Sequence, residues 1–146
     1  MPAIYEKRTY SVTVGQMAEV MRLYSTQGWP ALEAGDFAKN CIGYFVSDTG
    51  ELHQLIHLWR FESDDDRRAF WKRLFENAAF MAFAKQLRPL IKTQANQLLL
   101  AAPWGPHPWA ERSAVNTRPS ASAPGSGRRR SAAGRARRGD RGAAGG

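Results

Sequence analysis

From Ile4 to Val12 the chain reads IYEKRTYSV, with large apolar or aromatic groups alternating with charged or small polar ones. A repeat of two in strand-forming residue types predicts a first β-strand. Between Val14 and about Leu32 the period lengthens: Met17, Val20, Met21 and Tyr24 recur at helical spacing, and Leu23 widens the stripe. Gly28 and Pro30 interrupt that run, so QGWPALEAGD is expected to be an irregular helix end or a second short turn. Residues 41–47, CIGYFVS, predict a second strand, SDTGE a tight connection, and LHQLIHLWRF the returning third strand of a hairpin.

Ser63 followed by Asp64, Asp65 and Asp66 predicts a helix start: a serine cap, acids at the positive end of the helix dipole, and a carboxylate three residues after the cap. Phe70, Leu74 and Phe75, then Phe80, Met81, Phe83, Ala84 and Leu87, supply a buried stripe with an expected break near Asn77. Pro89 ends the helical run, and IKTQANQLLLAAP is a last strand. The order β-α-β-β-α-β is the ferredoxin-like α+β arrangement, a four-stranded antiparallel sheet with both helices on one face.

Charge changes this picture only at one end. The formal net charge is +8, yet residues 1–110 hold 12 basic against 11 acidic groups, while residues 111–146 hold nine arginines against Glu111 and Asp140. Residues 1–109 therefore read as one domain and 110–146 as an Arg/Ala/Gly/Pro-rich tail. After Trp109 the only sizeable aliphatic side chain is Val115, so that tail is expected to be disordered. An arginine run can attract RNA or a membrane surface, but this one lacks interleaved aromatics for base stacking, and nucleic acid is not expected as a partner. Out-of-frame reading of GC-rich DNA would yield a similar mixture. A single cysteine, Cys41, excludes an internal disulfide and a cysteine-based zinc cage. With no membrane span and no hydrophobic leader, a cytoplasmic protein is expected.

The segment His53-Gln-Leu-Ile-His57 sits one residue away from the HExxH zinc motif. That motif needs a helix to bring residues four apart onto one face; on a strand they stand about 13 Å apart. The position of the required base is held by Gln54, which cannot take a proton from water. The two histidines are therefore strand residues, and a zinc protease is not expected. As a strand, the segment sorts into a row with Ile56 and Leu58 and a row with His57 and Trp59. The aliphatic pair suits the helix-covered face. On that reading His57 and Trp59 join Glu6, Arg8 and Tyr10 on the other face, which is too aromatic for water and too polar for an ordinary core, and so needs a partner.

The stretches YEKRTYSVTVGQMAEV, IGYFVSDTGELHQLIHLWRFESDDDR and ANQLLLAAP together resemble the NIPSNAP family, itself similar to the dimeric α/β-barrel superfamily. The resemblance spans residues 4–104 and rests on the Tyr-Glu-x-Arg-x-Tyr opening and the Gly-Tyr…Gly…His-x-Trp hairpin. Lys7 departs from it, standing where the family usually has an apolar residue. The resemblance implies a homodimer of two sheets packed face to face, with a cavity between sheet and helices in each chain. Superfamily relatives include cofactor-independent monooxygenases, haem-degrading enzymes and small-molecule isomerases or decarboxylases, so the fold does not fix the chemistry.

Six side chains carry candidate chemistry. Arg8 is an anion clamp and Glu6 a proton acceptor, or the two form a cross-strand ion pair. His57 has acid–base chemistry suited to neutral pH, against the simpler reading of a hydrogen-bonded sheet histidine. Tyr10, Tyr44 and Trp59 are positioned to hold a planar ligand, or to pack. His53, near the hairpin end, is expected at the rim. His57 and Glu6 are thus the candidate catalytic groups, and Arg8, Tyr10, Tyr44 and Trp59 the candidate substrate contacts, with no cofactor and no metal. Three functions remain open at this point: a homodimeric small-molecule-binding protein or cofactor-independent enzyme, a non-catalytic scaffold, and a haem-binding barrel.

Overall fold

The structure, a computed structural model, describes residues 2–108. The expectations for residues 110–146 lie outside the described residues. Strand β1 (Ile4–Val12) leads into helix α1 (Met17–Leu23), one π-helical turn (Tyr24–Gly28) and helix α2 (Trp29–Ala34). Strands β2 (Cys41–Val46) and β3 (Gln54–Phe61) follow, then helices α3 (Asp64–Glu76) and α4 (Ala78–Leu87), and finally β4 (Ile91–Leu100). The sheet is antiparallel with order β2-β3-β1-β4, which is the ferredoxin-like topology expected from the hydrophobic pattern.

Local chemistry sets the element ends. At the start of α3 the Asp66 N–H donates to Ser63 Oγ at 3.1 Å, satisfying one of the donors a helix N-terminus leaves unpaired. Asn77 has an extended backbone that stops α3, and its Oδ1 accepts from Phe80 N–H at 2.9 Å to begin α4. The break expected near Asn77 is therefore a true boundary between two helices. In the first helical segment Pro30 has no N–H to offer, but it stands in the opening turn of α2, where none is required. Just before it, Gly28 lies under Phe83 so closely that a Cβ there would be 2.6 Å from Cζ of that ring.

The two faces of the sheet are the reverse of the sequence-based assignment. Leu55, His57, Trp59 and Phe61 are the buried row of β3, and Ile56 and Leu58 belong to the other, half-buried row. One core cluster joins Tyr10, Val12 and Leu55 to Val20, Leu23, Phe83 and Leu87; a second joins Trp59 and Phe61 to Leu32, Phe37, Phe70 and Leu74. The helices thus cover the aromatic and polar row, not the aliphatic one. The physical reason is complementarity: the helices offer Phe70 and Trp71, so the strand residues Trp59 and Phe61 find edge and face partners there. Phe75 and Met21, expected in the buried stripes, are about half exposed, at 47% and 49%.

Candidate ligand-binding site

The six residues singled out from the sequence come together on the helix-covered side of the three strands. Register does this. Arg8 pairs with His57 and Glu6 with Trp59 across β1 and β3, while Tyr44 pairs with His57 across β2 and β3. His57 is the centre of the aromatic contacts. The Tyr44 ring stacks on it at 4.6 Å and 7°, and Tyr10 meets it edge-on at 4.8 Å. On its own strand, Trp59 Nε1 donates to His57 Nδ1 at 2.6 Å.

Glu6 is fully enclosed and lies between two arginines. Arg67 Nη1, from α3, donates to Glu6 Oε1 at 2.8 Å, while Arg8 Nη1 stands 3.5 Å from Oε2. Arg8 spreads its guanidinium over the face of Trp71 at 4.3 Å and has Tyr10 on another side at 6.0 Å. The buried carboxylate therefore has its stronger partner in Arg67, while Arg8 is shared among Glu6, the face of Trp71 and the Tyr10 phenol. Four polar atoms of this one cluster are buried with no hydrogen-bond partner among the described residues: Glu6 Oε2, Arg8 Nε, His57 Nε2 and Trp71 Nε1. A buried polar group left without a hydrogen bond costs about 1–3 kcal/mol, so this cluster is where an added polar partner would gain most.

Burial sets the proton chemistry. It pushes the His57 pKa down from 6.5 to about 3, helped by the positive charge of Arg8, so the imidazole is neutral at any ordinary pH. Burial likewise raises the phenols of Tyr10, Tyr24 and Tyr44, which remain protonated. Beside the cluster lies an apolar recess of about 480 Å³, lined by Val20, Tyr24, Trp29, Tyr44, Val46 and Leu55. Tyr44 is shared, lining the recess and stacking on His57.

His53 takes no part. It precedes β3 in a left-handed conformation (φ 62°), and its carbonyl accepts the Val12 N–H at 2.7 Å. HQLIH is a turn residue followed by a strand, and among the described residues no group of histidine, cysteine and acidic side chains is arranged to hold a metal. Two members of the cluster, Arg67 and Trp71, escaped the sequence reading. The signal was present: Arg67, Phe70, Trp71 and Leu74 recur at i, i+3, i+4 and i+7. Arg67 is moreover a cation in the first turn of a helix, where the dipole disfavours one.

Fold and cluster together define an α+β protein of ferredoxin-like topology with a polar, aromatic site between sheet and helices. The sequence model of the NIPSNAP family matches residues 5–106, and the chain belongs to that family. It is similar to a NIPSNAP family protein from Agrobacterium tumefaciens strain C58, with 35% identity over 71% of this chain and 90% of that one, and a TM-score of 0.67. A second Agrobacterium NIPSNAP family protein, described as of unknown function, is 27% identical over 72% of this chain and 93% of that one, with a TM-score of 0.66. At 16% identity and a TM-score of 0.52, over 69% of this chain and 91% of that one, a putative antibiotic biosynthesis monooxygenase from Caulobacter crescentus shares the fold alone. No match is found among curated proteins.

Proposed function

We propose that the chain is a homodimeric small-molecule-binding protein whose site, centred on Arg8, takes a hydrophobic molecule carrying an anionic oxygen, and that any reaction there proceeds without a cofactor, of the monooxygenase or isomerase type. The observation that carries this reading is the set of four buried polar atoms around Arg8 that make no hydrogen bond among the described residues, three of them nitrogens. Arg8 would hold the anion, with Tyr10, Tyr44 and Trp59 bounding the flat part of the ligand. Glu6 Oε2, 3.5 Å from Arg8 Nη1, makes no hydrogen bond among the described residues, and Glu6 is the group we assign to accept a proton in any such reaction.

The homodimer part of the proposal draws on the other side of the sheet. Phe45, Ile56 and Leu58 occupy neighbouring positions on the row facing away from the helices, Phe45 is 53% exposed, and no helix among the described residues covers them. A second copy placed sheet to sheet would bury this face. Among the described residues no helix is long and apolar enough to cross a membrane.

A scaffold without chemistry is the competing reading, favoured by the pairing of Glu6 with both arginines. Native mass spectrometry of gently purified full-length protein separates the two, comparing wild type with Arg8→Ala and Arg8→Gln. The expected result is a dimer carrying a small ligand whose occupancy falls in both variants. An empty dimer unchanged by either substitution would favour the scaffold, and a monomer would end the dimer proposal.

A further inference from the structure

Trp59 and His57 present a pairing that the binding proposal does not use. An indole N–H only donates, so the 2.6 Å contact places a lone pair on His57 Nδ1 and leaves the ring proton of the neutral imidazole on Nε2. The ring plane is held on both sides, by Tyr44 stacked at 4.6 Å and Tyr10 edge-on at 4.8 Å. Nε2 itself is buried and finds no acceptor among the described residues.

We propose that His57 is a neutral hydrogen-bond donor through Nε2–H, that Trp59 is the positioning residue that sets this tautomer, and that the site therefore takes a carboxylate borne on a flat apolar body. The inference deepens the binding proposal above and rests on it. Counting donors and acceptors carries the argument. Three N–H groups, on Arg8 Nε, His57 Nε2 and Trp71 Nε1, lack acceptors, against one unshared acceptor, Glu6 Oε2. Such a site rewards a ligand that brings oxygen lone pairs in excess of its donors. A carboxylate brings two acceptor oxygens and no donor. The adjoining apolar recess of about 480 Å³, which shares Tyr44 with this cluster and is walled in part by Tyr24 and Trp29, suits a flat apolar body behind it.

A histidine so arranged does not remove protons from a substrate. Its one lone pair is already occupied by the indole, and taking up a proton at Nδ1 would set two N–H groups against each other at 2.6 Å. His57 instead resembles a preorganised donor aimed at negative charge.

The test uses the full chain labelled with ¹⁵N and long-range proton–nitrogen correlation through the imidazole rings between pH 5 and 8. His57 is assigned by the loss of its signals in His57→Gln. Expected are a protonated Nε2 and an unprotonated Nδ1 throughout, with benzoate shifting the His57 Nε2–H and Arg8 Nε–H resonances. In Trp59→Phe both tautomers are expected, with benzoate bound roughly tenfold more weakly. Because Trp59 is fully enclosed, the wild-type spectra alone also decide. A proton on Nδ1, or a ring doubly protonated between pH 5 and 8, overturns the tautomer assignment. Benzoate that binds without moving His57 Nε2–H overturns the contact. Absence of benzoate binding with the expected tautomer would overturn the carboxylate class and the Arg8-centred reading beneath it, leaving the Trp59–His57 assignment standing.

Discussion

At the scale of the residue, Glu6 shows how a charge survives at zero exposure. Its better partner is Arg67 at 2.8 Å, with Arg8 at 3.5 Å as the looser one. Removing Arg67 should therefore destabilise the fold more than removing Arg8, by about 2–3 kcal/mol for Arg67→Ala because that pair is only partly shielded from solvent. Urea unfolding of the two variants checks the order; equal losses would mean that the arginines share the carboxylate evenly. His57 gives a second prediction. With its pKa held near 3 rather than 6.5, the unfolded chain binds a proton between those values that the folded chain refuses. Stability contributed by the neutral ring is thus present above pH 6.5 and is lost as pH falls toward 3, by at most about 1.4 kcal/mol per pH unit. The phenols facing the ring, Tyr10 from β1 and Tyr44 from β2, are raised by burial and stay protonated through that window. His57→Gln should lose less stability than wild type between pH 7 and pH 5 in parallel thermal scans. Five of the six strand residues of this cluster were legible from the sequence because alternation alone puts Glu6, Arg8 and Tyr10 in one row and His57 and Trp59 in another. Which row faced the helices was not legible, since that depends on what the helices bring, and they bring aromatic rings and Arg67.

At the scale of the element, strand and helix order followed from periodicity and caps, and β1 was legible to the residue. The first helical segment was harder. Its apolar spacing predicts a single stripe, but Pro30 and Gly28 divide it into two short helices around a π turn, a device often found beside functional sites. Gly28 fixes how closely that turn approaches α4. Phe83 is fully buried, and three of its ring atoms would lie within 2.9 Å of an added Cβ, so Gly28→Ala has to move a ring that has nowhere to go. A loss of about 1–3 kcal/mol is expected, together with altered near-ultraviolet absorption of Tyr24, which packs on Phe83 at 4.8 Å. Unchanged stability would show that α4 yields there. Asn77→Ala, which removes only the cap of α4, should cost about 1 kcal/mol and leave the aromatic signal alone.

At the scale of the whole molecule, the sequence argument for a second copy began from the wrong side of the sheet. The aromatic and polar row seemed to need a partner from another chain, and in the fold it has one in α3 and α4. The second copy proposed above would instead meet the row of Phe45, Ile56 and Leu58. This relocation has a consequence that the original reading lacked. If the sheets meet on that side, the interface and the Arg8 cluster lie on opposite faces, and all the described polar groups of the site come from one chain. Ile56→Glu, placed between Thr9 and Phe45, should then dissociate the dimer in analytical ultracentrifugation at micromolar concentration, because no cation among the described residues stands opposite a carboxylate buried there. The same variant should keep benzoate binding within severalfold of wild type. Loss of binding together with loss of the dimer would instead mean that the interface shapes the pocket through the sheet, and a wild-type protein that is already a monomer at that concentration would leave the apolar face without the partner proposed for it.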